Sequence, residues 1–397
     1  MSATLTPAQA AARMVDSLGV EALAKAQAYT TGNHWMLLWG VVVSVVVAFV
    51  MVRLRLLDRI AARFANPARF WATYAVSAAF LLISAVLALP WTIYSDWHRE
   101  RAYGLSSQPL GDFLGQQAIG EAISVVLVGL FLVGVYALIR KAGRRWWLWS
   151  GGLAGVMTLL GLLAGPPLIE PLFNDYQPVP PGEVRTALER IADDVGIPHD
   201  RIFMYDGSRQ SDRFTANVSG IGPSARIAIA DVALKEASLA EVRAVTGHEA
   251  GHYKLGHVWR YAVIFPLLAM VFFFLLDRLF APTARLLGSD ARLDEPRGLP
   301  VFAVVGSVLG LLVTPLTNTL TRIGETEADL YSLRTVNEPD ALASALVKTA
   351  EYRYPRPSPL EEVLFYTHPS VEKRALMAME WKAAHPAPAG PAAPAQP

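Results

Sequence analysis

Residues 113–139 read FLGQQAIGEAISVVLVGLFLVGVYALI, 27 positions with a single charge, Glu121. A helix needs about 20 such residues to cross the hydrocarbon core of a bilayer. Five further runs carry no Asp, Glu, Lys or Arg at all. Trp35–Val52 is 18 residues long, Phe70–Tyr94 is 25, Trp146–Ile169 is 24, Tyr261–Leu276 is 16 and Leu299–Leu320 is 22. The fifth in chain order, Tyr261–Leu276, is the weakest, being short and carrying Pro266. Trp35, Trp91, Trp97, Trp146, Trp147 and Trp259 sit at or near the edges of these runs, where an amphipathic indole anchors a span at the interface. The pattern predicts a mainly α fold, a multi-pass transmembrane helical bundle of six spans. Glu121 reads either as a residue facing a water-filled chamber or as a helix-end contact with a shifted boundary.

Working outward, residues 1–34 form a polar, partly helical extension, without the basic-then-apolar order of a cleaved signal peptide. Spans one to four occupy 35–169, a polar insert 170–258, spans five and six 259–320, and a C-terminal segment 321–382. The tail, 383–397, has five prolines in its last twelve residues and is expected to be disordered. The chain as a whole is 53% hydrophobic and only 17% charged, with net charge +1 and no cysteine, in 397 residues. That composition excludes a disordered chain and, by bulk electrostatics, a nucleic-acid binder. It also excludes disulfides, a thiol nucleophile and a cysteine-ligated metal site. Any metal must sit on histidine and carboxylate.

The insert ends on His248-Glu249-Ala250-Gly251-His252, the HExxH pattern. On a helix His248 and His252 lie one above the other, roughly 40° apart around the axis. Two imidazoles so placed hold one Zn²⁺, with Glu249 beside them to take a proton from the attacking water. A catalytic zinc wants a third protein ligand and an open position. His257 falls nearly opposite His248 if the helix continues, so it reads as structural. Arg322–Arg334 offers Glu325 and Asp329 on one face, with Glu327 pointing away. Glu325 would be the ligand and Asp329 would orient a ligand histidine through its free N–H. On spacing alone the segment reads equally well as an ordinary acidic helix start. Further on, His368-Pro369 and Arg374 are natural stabilisers of an oxyanion, although His-Pro by itself also reads as a turn. Arg226–Asp231 alternates as a short strand, and the Thr215-Ala216-Asn217 run before it is the candidate edge to which an extended substrate would add.

These residues resemble the type I CAAX prenyl protease family of integral-membrane zinc metallopeptidases. The resemblance spans roughly residues 95–380. It rests on the ordered series Arg101-Ala-Tyr-Gly-Leu105, Glu170-Pro-Leu-Phe-Asn174, Asp206-Gly-Ser-Arg209, the HExxH, Glu325 with Ala328-Asp329, and His368-Pro369 with Arg374. It implies one Zn²⁺ per chain on His248, His252 and Glu325, a gluzincin-type set. It implies Glu249 as general base, and His368 and Arg374 as contacts to substrate or oxyanion. The implied substrates are peptides or lipid-modified peptides at the bilayer, cut after a prenylated cysteine. Two departures stand out. The family's edge strand begins Asn-Ala where this chain has Thr215-Ala216, with Asn217 next. Eukaryotic members have seven spans where six are found here. Other readings are an HtpX-like membrane-protein quality-control protease and, in another class, a transporter or scaffold with structural zinc.

The expected location is a bacterial inner membrane or an endomembrane. The loops 53–69, 140–145 and 277–298 carry 13 Lys and Arg, against 4 in 1–34 and 95–112. The positive-inside rule then puts the zinc outside. Counting further residues near the span ends narrows this to 13 against 10, and the resemblance implies a cytosol-facing zinc. The sequence therefore assigns no side.

Overall fold

The computed structural model describes residues 5–213 and 215–386. The N-terminal half forms helices α1 (Pro7–Asp16), α2 (Val20–Arg53), α3 (Leu56–Ala61), α4 (Phe70–Thr92), α5 (Arg99–Ala102), α6 (Leu110–Lys141) and α7 (Trp146–Ala164). The insert adds α8 (Glu183–Val195), α9 (Asp231–Glu236) and α10 (Leu239–Lys254). Then come α11 (His257–Leu287), α12 (Leu299–Thr335), α13 (Pro339–Lys348), α14 (Pro359–Phe365) and α15 (Val371–Ala384).

Six of these helical stretches are long and apolar enough to cross a membrane, as the charge-free runs predict. Their outward faces carry large apolar side chains, including Trp71, Val86, Val263 and Leu312 at 63–71% exposure. That is where lipid tails replace water, because a bilayer offers no penalty for such surface. Inside, Tyr136, Trp146, Phe273, Leu276, Phe280 and Phe302 pack into one core.

Polarity boundaries and helix boundaries do not coincide. The extension expected over 1–34 does not stop where the apolar run starts, since α2 is one helix of 34 residues from Val20. Backbone hydrogen bonding is indifferent to whether side chains face water or lipid. Ahead of it, α1 is capped by Thr6 and buries Ala11 and Val15 against α13 and α15. The N-terminus is thus part of the catalytic end. Likewise α12 runs 37 residues, about 55 Å at 1.5 Å per residue, well beyond a hydrocarbon core of about 30 Å. Its last turns carry Arg322–Arg334 out of the bundle on a rigid rod. At the C-terminus Ala383 and Ala384 close α15, so the tail begins later than 383; residues 387–397 lie outside the described residues.

The insert folds a four-stranded sheet of order β1-β2-β4-β3, with β1 Tyr176–Pro178, β2 Ile202–Tyr205, β3 Ala216–Ser219 and β4 Arg226–Ala230. β2 and β4 run parallel, and β1 and β3 flank them antiparallel. β4 is buried throughout, which suits its Ile-Ala-Ile-Ala run, and packs with Leu188, Ile191 and Val195 of α8. β3 is left at the edge beside α10.

Candidate active site

α10 begins at Ser238, whose hydroxyl accepts from the Glu241 N–H while the Glu241 carboxylate accepts from the Ser238 N–H at 2.8 Å. Glu241 also takes Ser344 and Lys348 at 2.8 and 2.9 Å, fastening this end to α13. Ten residues on, α10 presents His248 and His252 towards α12. The two helices approach closely because Gly251 has no side chain: a Cβ there would stand 3.0 Å from Tyr331 and 3.2 Å from the Ala328 backbone. That closeness brings Glu325 to the histidines.

His248 Nε2 and His252 Nε2 are 3.2 Å apart, and the Glu325 oxygens stand 3.3 and 3.4 Å from them. Ligands at 2.0–2.1 Å from a tetrahedral zinc are separated by about 3.3 Å. The three donors therefore already have the spacing that one zinc requires. Glu325 Oε2 is buried without a hydrogen-bond partner among the described residues, as expected of an atom made to face a cation. His248 donates from Nδ1 to Asp329 Oδ1 at 2.8 Å, which leaves Nε2 with its lone pair free. Arg374 in turn forks onto Asp329, with both N–H to oxygen distances 2.7 Å. Asp329 is fully buried and Arg374 nearly so.

The far side of the site departs from expectation. α10 stops at Lys254, and Gly256 takes the left-handed conformation at φ 69°. The chain restarts as α11 with His257 turned back. His257 is therefore not across the helix from the site: its Nδ1 lies 2.9 Å from His252 Nδ1. Its Nε2 donates to Glu327 at 2.9 Å, and Glu327 also holds Arg260 at 2.9 Å. The sequence reading missed His257 and Glu327 as supports. The Leu255-Gly256 pair, a helix-stop signal, is what could have revealed them.

A cleft of about 180 Å³ opens on this centre. Glu249 lines it and is half-buried; burial pushes its pKa up, against the opposing charges of the two histidines. His368 lines it too, its Nε2 3.2 Å from Glu325 Oε2. Burial first, then the Arg353 charge, hold the His368 pKa well below its usual value. Thr367 Oγ1 sits 2.8 Å from its Nδ1. Arg374 reaches the cleft as well, but spends Nε and Nη2 on Asp329.

Thr215 and Ala216 form the rim; Asn217 is not part of it. Ala230 N donates to Thr215 O, and the register pairs Ala216 with Ile229 and Asn217 with Ala228. In an antiparallel ladder the hydrogen-bonded pairs alternate. Asn217 therefore points its backbone groups at β4, while Ala216 and Val218 turn theirs to the free edge. Glu121 lies on α6 away from this cleft, with Oε1 buried and without a partner among the described residues.

Comparison with known proteins places this arrangement. The sequence model described as Peptidase family M48 matches residues 178–382, and the one described as CAAX prenyl protease N-terminal, five membrane helices, matches residues 4–175. Among the described residues of that second region, four helices are long and apolar enough to cross a membrane, one fewer than the description. The Bacillus subtilis (strain 168) protein called uncharacterized metalloprotease YhfN is 28% identical over 318 residues, 78% of this chain and 74% of its own length. The CAAX prenyl protease 1 homolog of Homo sapiens is 25% identical over 367 residues, 80% and 76% of the two chains. The crystal structure of S. mikatae Ste24p shares the fold, with TM-score 0.75, 21% identity and coverage of 92% and 90%. With its HExxH helix, its glutamate donor and its six spans, the chain belongs to peptidase family M48, as an integral-membrane zinc metalloprotease of the CAAX protease type.

Proposed function

We propose that the protein is an endopeptidase that cuts short, lipid-bearing peptide ends presented at the membrane surface, with His248, His252 and Glu325 holding one zinc. The observation that carries this reading is the convergence of three donors at 3.2–3.4 Å, two of them, His248 and Glu325, lining a cleft beside a free strand edge. The cleft's position favours a substrate held by the bilayer. Glu325 lies five residues beyond the charge-free run that ends at Leu320, about 7 Å along the helix. The CAAX prenyl protease 1 relatives favour a prenyl group on that substrate.

The peptide adds to β3, with the outward N–H and C=O of Ala216 and Val218 pairing its backbone. When bound, zinc supplies Lewis-acid chemistry, polarising the scissile carbonyl and acidifying the attacking water. Glu249 takes the proton from that water and returns it to the leaving amine. Burial raises its pKa, which strengthens it as a proton acceptor. His368 stabilises the developing oxyanion. Thr367 Oγ1 lies 2.8 Å from Nδ1, and with its hydroxyl donating there the neutral ring carries its proton on Nε2 at the site. Arg374 acts chiefly by holding Asp329, and through it His248.

Glu249→Gln tests the assignment. Zinc content should stay at one per chain while cleavage falls by about 10²–10⁴-fold, the share a positioned base supplies. Full activity with zinc retained would end the role given to Glu249. A farnesylated peptide and its unmodified twin, with and without chelator, test the substrate. Equal cleavage of both would favour a quality-control protease.

A further inference from the structure

Charge in the cleft is balanced at every cation but one. Arg374 is neutralised by Asp329. Its neighbours follow the same rule: Arg213 pairs with Glu100 at 2.7 Å, and Arg356 with Glu372 and Asp16, both at 2.7 Å. Arg322, which lacks a carboxylate, donates to the Glu362 and Tyr366 carbonyls. Arg353 has neither. Among the described residues no carboxylate lies within 4.0 Å of it and no side chain or carbonyl accepts from its guanidinium, although it is half-buried and lines the cleft beside Tyr352 and His368. The charge is unfavourable as it stands. Burial, then repulsion by Arg374, depress its pKa. A half-buried guanidinium without a protein acceptor forgoes the charge-assisted bonds that offset its partial burial.

Its position is fixed by the backbone. Arg353 follows the short turn Thr349–Tyr352 in extended conformation, and the next residue is tied to α2 by the Tyr354 N–H donating to Thr30 Oγ1 at 2.9 Å. Two negative charges, Glu325 and Glu249, match a bound zinc, so Arg353 remains one uncompensated positive charge facing the substrate's space.

We propose that Arg353 is a specificity-determining residue that receives a carboxylate of the substrate, the α-carboxylate at the end of the fragment that leaves. The guanidinium fork matches a carboxylate in two parallel hydrogen bonds. The cleft is small, about 180 Å³, which suits a short peptide end. The choice of the terminal carboxylate rests on the reading that the enzyme cuts near a chain end; the carboxylate chemistry itself does not.

The test uses one fluorogenic peptide in three forms: free C-terminus, C-terminal amide, and amide with a glutamate as last residue. Each is made with and without S-farnesyl and assayed on wild type, Arg353→Gln and Arg353→Lys. Wild type should favour the free acid over the amide by about 10–100-fold in kcat/KM, the range for a hydrogen bond to a charged group. Arg353→Gln should bring that ratio to within about threefold of one while still cutting the amide, and Arg353→Lys should restore part of it. Recovery by the glutamate peptide alone would assign the carboxylate to a side chain and overturn the terminal one. Equal cleavage of acid and amide by wild type, or an unchanged ratio in Arg353→Gln, overturns the proposal. If wild type cuts none of the peptides, the proposed substrate fails separately, and inhibition of cleavage of another protein substrate by the acid and amide tripeptides decides for Arg353. Stronger inhibition by the acid, lost in Arg353→Gln, supports it; equal inhibition ends it.

Discussion

The two histidines proposed to hold zinc, His248 and His252, sit one turn apart on the same helix, yet opposite flanks of the site hold them in different ways. His248 is braced by one direct contact to Asp329, which is fully buried and itself gripped by a buried arginine. His252 is braced through a relay, His257 and then Glu327, whose side chain is 39% exposed. The first support is short, dry and highly charged. The second is longer, begins on a different helix and ends in water. Buried charge makes a support strong but costly to break, whereas an exposed end is screened and forgiving. The α12 side should therefore fix the geometry, and the α11 side should tune it.

The largest effect is expected at Asp329. Asp329→Ala leaves Arg374 buried without its anion and His248 without its acceptor. Removing one partner of such a pair costs about 3–5 kcal/mol, read as a drop in thermal unfolding midpoint of the purified protein. Zinc affinity should fall with it, by about 10–100-fold for a lost ligand support. Pairing the change with Arg374→Leu removes the orphaned charge and should return most of the stability, but not the zinc affinity. If the double variant recovered both, Asp329 would serve packing only.

The direct support was legible in sequence, and the relay was not. Glu325 and Asp329 are four residues apart, so helical periodicity alone puts them on one face. His257 was misplaced because the angle assigned to it assumed an unbroken helix, whereas Gly256 ends α10 and re-aims the chain. The six spans were legible for a simple reason: a run without charges has few alternatives. The continuity of α2 through residue 34 was not legible, because polarity marks the water boundary and not the end of a helix. Arg353 left no signal at all. What distinguishes it is the partner it lacks, and only three-dimensional neighbours reveal that. A smaller effect than Asp329's is expected at His257, accordingly. His257→Ala should weaken zinc binding by about 10-fold, towards the low end for a lost support, with the unfolding midpoint little changed, as measured by competition with a chelator. A loss as large as that of Asp329→Ala would erase the contrast between the flanks.

Glu327 should show the smallest effect. Its carboxylate acts on the metal only through two imidazoles, and its partial exposure lets water take over the hydrogen bond from His257 Nε2. Glu327→Ala should reduce zinc affinity by no more than a few-fold. The decisive quantity is the coupling with His257. If the two residues form one relay, Glu327 matters only while His257 is present, so the double variant should bind zinc as tightly as His257→Ala alone. Additive losses would mean that Glu327 works by another route. The obvious one is its ion pair with Arg260, which fastens α12 to the first turn of α11 without passing through His252. Arg260→Gln separates the two: on the relay account it leaves zinc affinity where it was, and on the fastening account it reproduces the Glu327 loss.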